Sequence, residues 1–128
     1  MKYDTANDGY LHSITTIVPP SFDRDVRVLK KHFPHVQADM TPLFQQLLDG
    51  ATPGDQISGV GYTVFKVRVK SSDNARGKSG GFRVIYYLRT PECVYLISAY
   101  VKAQTDTVEK GGLKRLIREI LKDAELEC

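Results

Sequence analysis

The 128-residue chain, 41% hydrophobic and 26% charged, has the composition of an ordinary soluble globular protein and is long enough for one domain with its own hydrophobic core. No segment has the apolar length of a membrane span or the charged-then-apolar start of a signal peptide, so a cytoplasmic protein without membrane association is expected. The net charge of +3 is too small to argue for nucleic acid by itself, and its distribution along the chain is what matters.

A single domain over 1–128 is expected, with residues 1–12 as a loosely held, polar arm that carries no clear period. Ser13 to Val18 is rich in Ile, Thr and Val and reads as a first strand, stopped by Pro19 and Pro20. Ser21 is the expected N-cap of a helix with Asp23 and Asp25 in its first turn. Phe22, Val26, Leu29 and Phe33 recur at helical spacing until Pro34 ends the element. A second helix is expected from Asp39 or Thr41 to Asp49, with Met40, Leu43, Phe44, Leu47 and Leu48 as its apolar stripe and Gly50 as its stop.

Ala51 to Gly61 reads as a loop. Three β-patterned runs follow, Thr63 to Lys70, Phe82 to Leu88 and Val94 to Val101, whose short connections favour an antiparallel meander. A last helix, from about Leu113 to Leu126, carries Leu113, Leu116, Ile117, Ile120, Leu121 and Ala124 on one face. The order β-α-α-β-β-β-α predicts an α+β fold: a small, antiparallel-dominated sheet, a helical hairpin packed on one face, and a C-terminal helix. Cys93 and Cys128 fit neither a disulfide framework nor a metal knuckle, and both are expected as reduced thiols, with Cys93 a packing residue.

The chemistry concentrates between Lys66 and Arg89. Alternation puts Lys66, Arg68 and Lys70 on one strand face and Phe65, Val67 and Val69 on the other. Arg76, Lys78, Arg83 and Arg89 follow, with only Asp73 to oppose them. A solvated outer sheet face is the plain reading of such a run. The functional reading is a surface for phosphate, with affinity that falls steeply with salt.

Cleaving RNA without metal needs a group to take the 2′-OH proton, a donor to the leaving 5′-oxygen, and cations to meet charge on the phosphorane. Lys66 or Lys70 suits the base, because neighbouring cations disfavour a further charge. Arg83 and Lys78 suit charge stabilisation. His12, His32 and His35 all lie outside this region, which argues against a histidine nuclease centre. Alternation places Tyr87 with Arg83, where it could stack on a base, and Tyr86 on the core face with Phe82 and Val84. Gly80-Gly81 is followed by a strand, not a helix, so it is no P-loop; its expected role is a reversal with positive φ. Neither a metal site nor a cofactor is expected.

Lys66-Val67-Arg68-Val69-Lys70, Gly77-Lys78-Ser79-Gly80-Gly81-Phe82-Arg83-Val84-Ile85-Tyr86-Tyr87 and Val94 to Lys102 together resemble the RelE/ParE toxin superfamily, in particular its HigB-like branch. The likeness runs from about Ile17 to the last helix. It implies the toxin of a type II toxin-antitoxin system: a metal-independent endonuclease that cleaves mRNA in the ribosomal A site and is neutralised by a cognate antitoxin. Operator DNA is then contacted indirectly, through the antitoxin. By position, the family's strand cations fall on Lys66 and Arg68 or Lys70, its transition-state arginine on Arg83, and the basic residue after its last strand on Lys102. Arg76, Lys78, Tyr87 and Arg89 are the expected RNA contacts. RelE has a base-stacking tyrosine in its C-terminal region, whereas here no tyrosine follows Tyr100, so general acid and base stay open. A ParE-like gyrase inhibitor, or an inactive homologue that binds only antitoxin and operator, are the alternative readings.

Overall fold

The computed structural model describes residues 14–73, 81–101, 109–123 and 128. The expected arm 1–12, together with Arg76, Lys78 and Lys102, lies outside the described residues. The elements run β1 (Thr15–Ile17), α1 (Pro20–Lys30), α2 (Val36–Leu48), β2 (Asp55–Ile57), β3 (Val64–Val69), β4 (Phe82–Thr90), β5 (Cys93–Val101) and α3 (Lys110–Asp123). This is the expected α+β order with one short strand, β2, added inside the segment 51–61 that reads as loop. The sheet order is β1-β5-β4-β3-β2; β1 pairs parallel with β5, and every other pairing is antiparallel. Among the described residues no helix is long and apolar enough to cross a membrane.

The two faces of the sheet are sorted by strand alternation. On one face, Val69, Phe82, Val84, Tyr86, Leu96 and Ala99 meet α1 through Phe22, Val26 and Leu29, and α2 through Val36, Met40, Leu43 and Leu47. Edge-to-face packing of Phe33 on Phe82, with centroids 5.1 Å apart, closes the end of this layer. On the other face, Val64, Ile85, Tyr95 and Ile97 meet Leu113, Ile117 and Ile120 of α3. The helical hairpin and the last helix thus sandwich the sheet.

Three local expectations are corrected. Ser21 is not the N-cap: α1 starts at Pro20, two residues earlier than that cap would place it, because proline's fixed φ suits the first helical position, and Pro19 caps it in extended conformation. The second helix starts at Val36 rather than at Asp39 or Thr41, and so carries Pro42 inside it, past the first turn, where the missing N–H costs one i→i−4 hydrogen bond. Cys93 and Cys128 are not free thiols but form a disulfide, with Cα atoms 5.9 Å apart across a sequence separation of 35. Cys93 is also the packing residue expected, 1% exposed in the layer beneath α3.

Gly81 opens β4 at φ +87°, the positive φ expected for the Gly-Gly turn. A Cβ there would stand 2.5 Å from the carbonyl oxygen of Val69, the residue paired with Phe82 across the β3-β4 ladder. Gly81→Ala therefore combines a left-handed backbone with a backbone clash, and a loss of about 3 kcal/mol is expected in chemical denaturation. A loss under about 0.5 kcal/mol would show that the turn can relax.

Candidate functional site

Register decides which cations meet. Arg68 of β3 lies directly opposite Arg83 of β4, and Arg83 directly opposite Tyr100 of β5. Paired residues share a face with Cβ atoms about 5 Å apart, so the three side chains form one row across the sheet. The next row runs Asp55, Lys66, Ile85 and Ser98. Lys66 and Arg68 are two positions apart on one strand, roughly 7 Å. Lys66, Arg68 and Arg83 thus converge on the sheet face that carries α3 further along.

Arg83 is buried, at 7% exposed, while Arg68 is open to solvent. Arg83 therefore departs from the solvated outer face that is the plain reading of the basic run: β5, with Tyr100 paired opposite, flanks one side of it. Its guanidinium donates to the Phe82 carbonyl at 3.4 Å, and among the described residues no carboxylate pairs with it. Like charges directly opposite one another destabilise a sheet, and a buried cation without a counter-charge costs still more. An anion bridging Arg68 and Arg83 would relieve both costs, and a phosphate accepts from two guanidinium groups at once.

The remaining expected residues are spread more widely. Lys70 follows the last residue of β3 and is exposed. Tyr87 lies on the expected face, four positions or roughly 13 Å along β4 from Arg83. Its half-buried ring meets Tyr62 at 5.2 Å and Tyr95 at 6.1 Å, and burial pushes its hydroxyl pKa up. Arg89, exposed at the far end of β4, donates to the Tyr95 hydroxyl at 3.2 Å and lies 5.9 Å from the centre of that ring. It is six positions from Arg83, roughly 20 Å, and is not part of the same cluster. Tyr86 is fully buried, as expected, and donates to the Pro53 carbonyl.

Two residues of the cluster are absent from the sequence-based set. Asp55 comes beside Lys66 only because β2 forms, and Tyr100 comes beside Arg83 only through the β5 register. Both carry exchangeable or proton-accepting groups next to the cations.

The segment leading from β3 toward Arg76 and Lys78 is tied to the start of α2. Asp73 accepts from the His35 backbone N–H at 2.8 Å and faces His35 Nδ1 at 2.6 Å. Asp39 accepts from the Ser72 backbone N–H at 2.9 Å and from its hydroxyl at 3.2 Å. The hydrogen bond that His35 Nδ1 donates to Asp73 raises the His35 pKa above its ordinary 6.5 and lowers that of Asp73 below 3.8. The contribution of charged His35 is therefore complete below about pH 6.5 and is lost as pH rises through its raised folded value. That of ionised Asp73 is present above its unfolded value and lost as pH falls through the depressed one. His35→Ala is expected to flatten the melting-temperature profile between pH 6 and 8, by a small amount because the pair is solvent-screened. An unchanged slope would remove this tether from the description.

No protein-family model, curated protein or solved structure matches the chain. The reading of the site therefore rests on its own geometry and on the motif resemblance.

Proposed function

We propose that the chain is the toxin of a type II toxin-antitoxin system, of the RelE/ParE superfamily and its HigB-like branch. In this reading it is a metal-independent, ribosome-dependent mRNA endonuclease that inhibits translation in the cytoplasm. The single observation that carries the reading is the row of Arg68 opposite buried Arg83, two cations in register on one sheet face. Supporting it are the element order, the Gly-Lys-Ser-Gly-Gly motif in the sequence before Phe82-Arg83, and Lys66 one row away on the same face.

The chemistry is an in-line attack of a ribose 2′-oxygen on the adjacent phosphorus, with departure of the 5′-oxygen. Arg68 and Arg83 bracket the phosphate and stabilise the charge that grows on its oxygens, and Lys66 adds a third cation. Asp55 beside Lys66 and Tyr100 beside Arg83 are the proton-exchanging groups placed next to these cations. Exposed Lys70 adds positive charge at the end of β3, and the motif resemblance assigns Arg76, Lys78 and Lys102 to RNA as well. A cognate antitoxin with an acidic segment would cover the same cations and shut off activity.

The test is to add the purified protein to a translation extract with and without ribosomes and follow the length of a defined mRNA. Shortening of the mRNA that requires ribosomes is expected. An intact message in the presence of folded protein would overturn the nuclease reading and move the weight to gyrase inhibition or to an inactive binding protein.

A further inference from the structure

Cys93 opens β5 and is enclosed in the layer formed with Ile17, Tyr95, Ile117 and Ile120, whereas its disulfide partner Cys128 is exposed. The last described residue of α3, Asp123, stands only five positions before Cys128, so the bridge limits where the C-terminal end of that helix can go. The helix itself is thinly attached. Of its 14 residues only Leu113, Ile117 and Ile120 are buried, and Lys, Arg and Glu fill much of its outer surface. Beside it, Leu116, Glu119 and Asp123 form one wall of an open cleft of about 540 Å³, with the β1-α1 corner as the other. The helix therefore rests on the sheet along one stripe of Leu113, Ile117 and Ile120, flanked by half-buried Leu116 and Leu121.

We propose that the Cys93–Cys128 bridge is a redox latch that sets how firmly α3 docks on the sheet, closed as the disulfide and released as the dithiol. The proposal is independent of the nuclease reading. A dithiol reductant suffices as co-reactant. One of its thiolates attacks the exposed Cys128 sulfur, and the S–S bond breaks with Cys93 leaving as thiolate and taking up a proton in its buried site. The second thiolate then attacks the reductant's own sulfur in the mixed disulfide, closing a cyclic disulfide and freeing Cys128. Two electrons pass from the dithiol to the protein. Attack at Cys128 is favoured because Cys93 is closed to solvent. With the bridge open, the end of α3 is held only by its apolar stripe, Ile117 and Ile120 with half-buried Leu116 and Leu121, and the sheet surface of Ile85, Tyr95 and Ile97 beneath it opens to water more often.

Hydrogen-exchange mass spectrometry of the full chain tests this, on air-oxidised protein, after dithiothreitol, and on Cys128→Ser under both conditions. Reduction is expected to speed exchange at least tenfold in peptides covering 110–123 while 82–101 stay protected, with reoxidation restoring the slow pattern. Cys128→Ser should show the fast pattern whether or not dithiothreitol is present. Unchanged exchange in 110–123 overturns the proposal, as does an equal loss of protection in the strands, which would make the bridge a staple for the whole fold. Two alkylatable thiols in the oxidised sample, read by intact mass, would overturn it as well.

Discussion

Arg68→Ala is expected to raise stability slightly while cutting ribosome-dependent mRNA cleavage by about 100-fold or more. The two effects have one cause. Arg68 faces Arg83 across the β3-β4 ladder, and removing one of two like charges in register relieves repulsion of about 0.5 kcal/mol, roughly 2 °C in melting temperature. The same deletion leaves the phosphate held from one side only, and loss of one donor aimed at transition-state charge typically costs two to three orders of magnitude in rate. Arg83 must be handled differently because it is buried. Arg83→Ala would confound cleavage with a packing defect, whereas Arg83→Met keeps much of the volume and removes a buried charge, a change that is often neutral for folding. Arg83→Met is thus expected to stay folded and inactive. Thermal melts paired with cleavage rates check both variants. If Arg68→Ala loses stability and activity together, the arginine row is structural.

The second large effect is expected at Tyr86, at the centre of the sheet. The residue is fully buried, its ring lies stacked on Phe65 at 5.2 Å with 16° between planes, and its hydroxyl donates to the Pro53 carbonyl. Burial without a charged partner raises the hydroxyl pKa well beyond its ordinary range, so the group is neutral at any working pH. Tyr86→Ala removes a full aromatic from a layer against which α1 and α2 pack, and a loss of about 3 to 5 kcal/mol is expected. Tyr86→Phe keeps the ring and drops only the hydrogen bond, leaving the Pro53 carbonyl close to the edge of the core; about 1 kcal/mol is expected. Urea denaturation of the two variants separates ring from hydroxyl. Equal losses would mean that the link to the segment before β2, not the core, is what Tyr86 supplies.

Much of the architecture is legible in the sequence because its cause is local. Phe22, Val26 and Leu29 fall on one helical face, and the alternation of Phe65, Val67 and Val69 against Lys66 and Arg68 sorts β3 without reference to anything distant. Tyr86 and Tyr87 part to opposite faces for the same reason. What was not legible depends on contacts made across the chain. Asp55-Gln56-Ile57 is too short and polar to show a strand period, and it becomes β2 only by pairing with β3 after the Gly54 turn. Sequence spacing of 35 residues does not show that Cys93 meets Cys128; that depends on α3 returning across the face that carries Cys93.

The candidate site divides along the same line. Lys66, Arg68 and Arg83 can be read from strand alternation as cations of one face, but the register that sets Arg68 against Arg83 cannot. It follows from how β3 and β4 align across the residues between them. Tyr100 is harder still, because β5 carries an extra residue near Ile97, where pairing steps from Ile85–Ser98 to Tyr86–Leu96. That bulge keeps Tyr100 in the arginine row while Tyr95 serves the layer under α3. Arg89, in sequence part of the same basic block, ends at the opposite end of β4 on Tyr95.

The most direct measurement of the central claim is to map mRNA 5′ ends at nucleotide resolution in a reconstituted translation reaction. Wild type, Arg68→Ala and Arg83→Met are compared on ribosome-bound and naked message. Cuts within the A-site codon that require ribosomes and vanish in both folded variants are the expected result. Wild-type protein that leaves the message intact, or cuts that persist undiminished in both variants, would contradict the assignment of the arginine row as the catalytic centre of an mRNA endonuclease.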